Sequence, residues 1–164
     1  MMRKLLFLLA FAFAAMLQAA DFVTESRWIT ASEGDVNAQN TWIAFRKDIT
    51  LGSIPMKVEA SIAAASKYWL WINGEMVVFE GQLKRGPTPK DTYYDKVDIT
   101  PFLKEGNNEV AVLLWYFGKS GFSHNSSGKS GLLFSAQSIG LYTDSQWMSR
   151  IHPAYGTCGD PKPK

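Results

Sequence analysis

The sequence predicts an all-β domain of the sandwich or jelly-roll kind, and three observations lead there. Apolar side chains recur at every second residue along most of the chain, and β-branched and aromatic types dominate those runs. No stretch with a helical period is long enough to form a packed helix. Many short strands without helices to cover them leave a sheet no partner but another sheet.

The first segment stands apart from that domain. Arg3 and Lys4 open the chain, residues 5–17 carry no charge, and Gln18, Ala19 and Ala20 lead into Asp21. A basic start, an apolar stretch and a small-residue exit are the layout of a secretory signal peptide, and a bilayer span would need about 20 apolar residues. The expected organisation is a signal peptide over 1–19, a β-sandwich domain over 20–150, and a linker or truncated C-terminal tail over 151–164. The protein is expected to be exported to the periplasm or beyond, with no membrane attachment after cleavage. The signal holds two of the 17 basic residues and none of the 15 acidic ones, so the remainder is balanced. The slight basicity is therefore no nucleic-acid footprint. Cys158 is the sole cysteine, so no intramolecular disulfide is possible, and a domain of about 145 residues must rest on its core.

The strands follow in order. In 42–51, Ile43, Phe45, Ile49 and Leu51 share a face that only Lys47 interrupts. In 57–64, Val58, Ala60 and Ile62 alternate with Lys57, Glu59 and Ser61. Tyr68, Leu70 and Ile72 alternate with Lys67, Trp69, Trp71 and Asn73. Asn73-Gly74 tolerates positive φ and should join this strand to the short apolar run 76–79 as a hairpin. Residues 93–99 alternate again, and 110–117 are apolar on both faces, as in a central strand. Residues 132–136 and a piece near Trp147 complete the set. Thr100, Pro101 and Gly106 predict one helical turn, capped by the threonine hydroxyl and carrying Phe102 and Leu103 to an end of the core. The polar Gly/Ser segment 118–131 is a long loop.

Motifs for chemistry fail on inspection. Gly128-Lys129-Ser130 resembles the end of a phosphate-cradling loop, but Ser123 stands where its first glycine belongs, and a strand follows rather than a helix. The serines around His124 lack a Gly-x-Ser-x-Gly elbow. His124 and His152 have no metal-ligand spacing. Asp91, Asp95 and Asp98 flank or occupy one strand, where paired carboxylates cannot face each other across a sugar; they read as solvated or turn-capping acids. No catalytic set, cofactor site or metal site is recognised.

One combination is distinctive. Tyr68-Trp69-Leu70-Trp71-Ile72-Asn73-Gly74-Glu75 is followed by Tyr93-Tyr94-Asp95-Lys96-Val97-Asp98-Ile99-Thr100. Then come Phe102-Leu103-Lys104-Glu105-Gly106-Asn107-Asn108 and the apolar strand. The order and spacing, over roughly 28–137, resemble the N-terminal β-sandwich domain of bacterial α-L-rhamnosidases, of the galactose-binding-like jelly-roll type. Sugar-binding domains of β-galactosidase-like enzymes share part of the pattern. The resemblance implies a non-catalytic accessory domain of a larger exported glycosidase. In that family the catalytic carboxylates lie on a separate helical barrel, to which no position here corresponds. The implied partners are that enzyme's catalytic domain and rhamnose-containing glycans. An independent carbohydrate-binding module is the alternative.

For glycan contact the candidates are Trp69, Trp71, Arg85 and Asp91. The tryptophans share one strand face, opposite the expected core set Tyr68, Leu70 and Ile72. They are either covered by another domain, the preferred reading because large apolar patches usually mark interfaces, or open to a sugar. Arg85 and Asp91 lie in the loop 84–91, which either presents them to sugar hydroxyls or is an ordinary basic turn.

Overall fold

The computed structural model describes residues 21–83, 92–122 and 125–155. Among these residues nine antiparallel strands form two sheets, built from β1 (Thr41–Leu51), β2 (Glu59–Ala64), β3 (Lys67–Ile72), β4 (Glu75–Gln82), β5 (Asp95–Asp98), β6 (Gly106–Tyr116), β7 (Leu132–Ala136), β8 (Leu141–Tyr142) and β9 (Met148–Ile151). One sheet has the order β4-β3-β6-β1-β9 and the other β5-β2-β7-β8. They make a β-sandwich, and among the described residues no helix is long and apolar enough to cross a membrane.

The two-residue period decides which side chains meet. From the five-stranded sheet, Ile43, Phe45, Tyr68, Leu70, Ile72, Val110, Val112 and Leu114 point inward. They meet Ala60, Ile62, Ala64, Leu132, Phe134 and Ala136 of the other sheet. Small residues on β2 and large ones on β7 let the two inner faces interdigitate. The spine is the β1–β6 pair, in register over all 11 residues of each strand. Lys47, the one break in the β1 inner face, ends outside the apolar region, where its Nζ donates to Gln146 Oε1 at 2.9 Å and lies 3.8 Å from Asp144.

The hairpin at Asn73-Gly74 is a two-residue turn between Ile72 and Glu75, with φ positive at both residues (53° and 83°). β4 is an edge strand with two register shifts against β3. Such bulges twist an edge away from unwanted strand pairing.

Residues 100–102 form a 3-10 turn, but the expected cap is corrected. The Thr100 hydroxyl does not cap it. Instead, Asp98 Oδ1 accepts from the Thr100 N–H at 3.0 Å and from its hydroxyl at 2.6 Å, while Thr100 Oγ1 accepts the Val58 N–H at 2.7 Å. These bonds hold the Asp98 carboxyl below the ordinary carboxylate range. The proline at the next position occupies a site whose N–H would have no helical partner. Leu103 enters the core and Phe102 packs against it.

The outer face of the four-stranded sheet is covered by the chain itself. Ser61, Ala63 and Ser135 are buried there. The N-terminal segment crosses above them, with the Val23 N–H toward Ser135 Oγ at 3.5 Å and the Phe22 ring against the edge of Tyr94. Asp21 accepts a hydrogen bond from the Tyr94 hydroxyl and pairs with Lys96, and these contacts lower its pKa, the Lys96 bond most. Ile29 then bridges to Leu132. Ordered contacts run on past β9: the His152 N–H donates to Trp42 O at 2.8 Å. The expected signal peptide, Arg85, Asp91, Ser123, His124 and Cys158 lie outside the described residues.

Candidate functional site

On the outer face of the five-stranded sheet the C-terminal segment reaches Trp42 through Tyr155, and Trp69 and Trp71 both lie on this face, as their alternation with buried Tyr68, Leu70 and Ile72 requires. Pairing of β3 to β6 and β6 to β1 arranges this face in rows. Trp42, Trp115 and Lys67 stand in one row; Ala44, Leu113 and Trp69 in the next; then Arg46, Ala111 and Trp71. Beyond these lie Asp48, Glu109 and Asn73, and finally Thr50 beside Asn107. Along β6 the outward side chains run Trp115, Leu113, Ala111, Glu109, Asn107, with Phe117 just past the strand's end. The face therefore grades from an aromatic end to a polar end.

At the aromatic end the rings cover one another. Trp42 stacks on Trp115 (centroids 4.9 Å apart, 8° between planes), on Trp69 (5.4 Å, 26°) and on Tyr155 (4.2 Å, 17°). Phe79 meets Trp69 edge-on at 6.3 Å, and Phe117 meets Trp115 at 4.6 Å. Trp115 Nε1 donates to Asn40 Oδ1 at 2.7 Å, which fixes its ring. Offset and edge-to-face pairs of this kind are worth about 0.5–1.5 kcal/mol each beyond area burial. Phe79 (71% exposed) and Met76 (48%) form the apolar rim on β4.

Trp71 differs. Among the described residues no ring stacks on it, and its neighbours in register are Met76 on β4 and Ala111 on β6. Past it opens a groove of about 640 Å³, lined by Arg46, Asp48, Thr50, Asn107, Glu109 and Lys104, with Asn73 and Asn108 at its base. Arg46 Nη2 pairs with Glu109 Oε2 at 2.7 Å, and its Nε and Nη2 donate to Asp48 at 3.2 Å. Chiefly through the Asp48 bond, the guanidinium is held charged even more firmly than usual. Thr50 Oγ1 donates to Asn107 Oδ1 at 2.8 Å.

The two amides at the base serve the fold. Asn108, 2% exposed, donates from Nδ2 to the carbonyls of Lys104 (2.7 Å) and Gly106 (3.0 Å). Its Oδ1 accepts from the Lys104 N–H and from Asn73 Nδ2, each at 2.9 Å. Asn73 also donates to Phe102 O at 2.8 Å and accepts the Glu109 N–H at 3.1 Å. This network locks the β3–β4 turn to the β5–β6 connection.

A second polar contact ties the two sheets. Buried Tyr68 donates from its hydroxyl to Asp95 Oδ2 at 3.0 Å, and the Gln82 N–H donates to the same oxygen at 2.7 Å. Burial first, and the neighbouring carboxyl second, push the Tyr68 phenol well above its ordinary value. The reading of Asp95 as a solvated or turn-capping acid is thereby corrected, whereas Asp98 does organise a turn. Asp95 and Asp98 project to opposite sides of β5, so they form no catalytic pair. Among the described residues no group of three or more His, Cys, Asp or Glu side chains is placed to hold a metal.

Sequence reasoning singled out Trp69 and Trp71 but missed Trp42, Trp115, Arg46 and Glu109. The available signal was the outward phase of β1 and β6, which sets all four on the tryptophan face once the strands pair.

No protein-family model matches the chain, and no curated protein matches it. Solved structures do. A GH78 family rhamnosidase of Bacillus sp. GL1 matches 79% of this chain at 31% identity and a TM-score of 0.67. An α-L-rhamnosidase of Aspergillus terreus matches 79% at 25% identity and a TM-score of 0.59. The chain spans only 14% and 17% of those two proteins. A lectin of Pleurotus ostreatus, of which 35% is covered, shares the fold over 77% of this chain at 22% identity and a TM-score of 0.52. The described sandwich is thus recognisable as similar to a single domain's worth of the GH78 α-L-rhamnosidases.

Proposed function

We propose that the chain is a non-catalytic accessory domain of an exported glycoside hydrolase of the α-L-rhamnosidase kind, supporting the catalytic domain and contacting carbohydrate. The observation that carries this reading is the 31% identity over 79% of the chain to a domain-sized part of a rhamnosidase. The aromatic outer face agrees with it, with Phe79 and Met76 exposed on its rim, since exposed apolar groups beside one another mark an interface. The partner on that face is the catalytic domain, which meets the apolar rim around Phe79 and Met76.

The test has two arms. Residues 20–164, purified to homogeneity, are assayed with a chromogenic α-L-rhamnoside, and no turnover is expected. The coding region beyond Lys164 and its neighbours are then read for a glycosidase catalytic domain. Deleting residues 20–155 from that enzyme should shorten its half-life at elevated temperature. Turnover by this chain alone, or a catalytic domain indifferent to the deletion, would overturn the reading.

A further inference from the structure

We propose that the polar end of the outer face is a saccharide-binding groove, with Trp71 as a stacking ring beside it and Arg46, Glu109 and Asn107 as its hydroxyl-binding groups. The inference rests on the carbohydrate reading above and gives it a location.

The aromatic geometry selects Trp71. A sugar needs an indole face to receive its C–H bonds. Trp42 has rings on both sides, Trp115 is stacked on Trp42, and Trp69 lies between Trp42 and Phe79. Among the described residues, Trp71 alone of the four tryptophans on this face has no ring contact. Ala111 separates it from Arg46, and both pair with Ala111 in register. Two strand spacings put the Trp71 and Arg46 Cα atoms about 10 Å apart, with a methyl group as the floor between them. Arg46 itself lines the groove, and Trp71 stands in the register row next to the groove's Asp48 and Glu109.

The polar lining selects an uncharged, hydroxyl-rich ligand. Arg46 and Lys104 balance Asp48 and Glu109, so the groove carries no net charge among its lining side chains. An anion would meet two carboxylates and a cation two basic groups, while an apolar segment would bury four charges without new partners. Glu109 uses Oε2 for Arg46 and leaves Oε1 to accept; Asn107 uses Oδ1 for Thr50 and leaves Nδ2 to donate. Neighbouring hydroxyls of a sugar ring each donate and accept, and so match a site that offers both. The guanidinium, gripped by two carboxylates, is already ordered, which lowers the entropy lost on binding. A volume of about 640 Å³ falls within the range of small-molecule sites.

The test is a titration of the ¹⁵N-labelled chain with L-rhamnose, methyl α-L-rhamnoside and D-glucose, followed by amide and side-chain N–H spectra. Saturable shifts of the Trp71 Nε1–H and Arg46 Nε–H signals are expected for at least one probe, with the Trp42 and Trp115 indoles unmoved. Trp71→Ala should weaken binding about tenfold or more, equivalent to ~1.4 kcal/mol. Glu109→Gln should weaken it severalfold, and Trp71→Phe, which keeps a ring and the fold, should retain partial affinity. No saturable shift with any probe at 100 mM or below, or shifts confined to other surfaces, would overturn the proposal. A groove that binds nothing in a domain whose deletion still destabilises the enzyme would sink this inference alone. Sugar binding in a dispensable domain would sink the accessory role instead.

Discussion

Replacing Gly81 with alanine drives a methyl group into the ring that ties the two sheets together. A Cβ at this position would lie 2.3 Å from Tyr68 Cζ, 2.4 Å from Cε1 and 2.8 Å from the hydroxyl oxygen. Tyr68 is fully buried, so the ring has no solvent to move into. Relief requires a shift of about 1 Å, judged from ordinary carbon–carbon separations. That shift would carry the hydroxyl away from Asp95 Oδ2, now 3.0 Å distant. Overpacking costs about 1–3 kcal/mol, and a weakened buried hydrogen bond to a carboxyl group adds about 1–2 kcal/mol. Gly81→Ala should therefore destabilise by about 2–5 kcal/mol, a large part of the total for a domain of this size. Urea unfolding followed by tryptophan fluorescence reads it directly. The mechanism makes a stricter demand in a double-mutant cycle. With Tyr68→Ala the ring is gone, and Gly81→Ala should then cost less than about 0.5 kcal/mol or even stabilise by filling space. A Gly81→Ala cost that persists in full without the tyrosine ring would refute the steric argument.

Two further predictions concern the polar contacts that shape the groove end. Asn108→Asp places a carboxylate oxygen against the carbonyls of Lys104 and Gly106, which now receive the amide's two N–H groups. It should cost at least about 2–4 kcal/mol, more than Asn108→Ala, in urea titrations at neutral pH; a variant within 1 kcal/mol of the parent would contradict the assigned bonding. Asp98 has a folded pKa below its ordinary 3.8 because of the bonds from Thr100. Its stabilising contribution is present above that ordinary value and is lost as pH falls through the folded pKa. The urea midpoint should decline at acid pH below 3.8, and Asp98→Asn should shallow the decline; Asp21, lowered by Lys96, leaves a residual slope. An Asp98→Asn protein with an unchanged acid profile would count against the role given to these bonds.

What the sequence made legible was whatever a strand shows locally. The two-residue period located the strands, and the inward set Tyr68, Leu70 and Ile72 faces the core as the pattern requires. Asn73-Gly74 makes its turn because both residues accept positive φ. The shortfall lies in what depends on register between distant strands. Trp42 and Trp115 are ordinary outward residues of their own strands, and they become a stack only because β1 and β6 pair residue for residue. Arg46 and Glu109 look like solvated charges until that pairing sets them 2.7 Å apart. Asp95 also defied local reading, since the Tyr68 hydroxyl reaches it from the opposite sheet. Burial of Ser61 and Ser135 had the same kind of cause: the N-terminal segment folds back over a face that alternation alone assigns to solvent.

The sharpest consequence of register concerns Trp69 and Trp71, which two-residue spacing makes equivalent. Trp69 stacks on Trp42 and receives the edge of Phe79, so Trp69→Ala removes two ring contacts as well as apolar area. At about 0.5–1.5 kcal/mol per aromatic pair, it should cost about 1–3 kcal/mol more than Trp71→Ala, which breaks no ring contact among the described residues. Thermal melts should show Trp69→Ala well below Trp71→Ala, and the near-ultraviolet circular dichroism of the stacked indoles should weaken in the former, where the Trp42–Trp115 stack remains, and hold in the latter. Equal stabilities would mean that the stack contributes nothing and that the two side chains are as interchangeable as their spacing suggests. An ordering with Trp71→Ala the less stable would assign the fold's share of the face to the wrong tryptophan, and with it the argument that Trp71 is the one left free for a ligand.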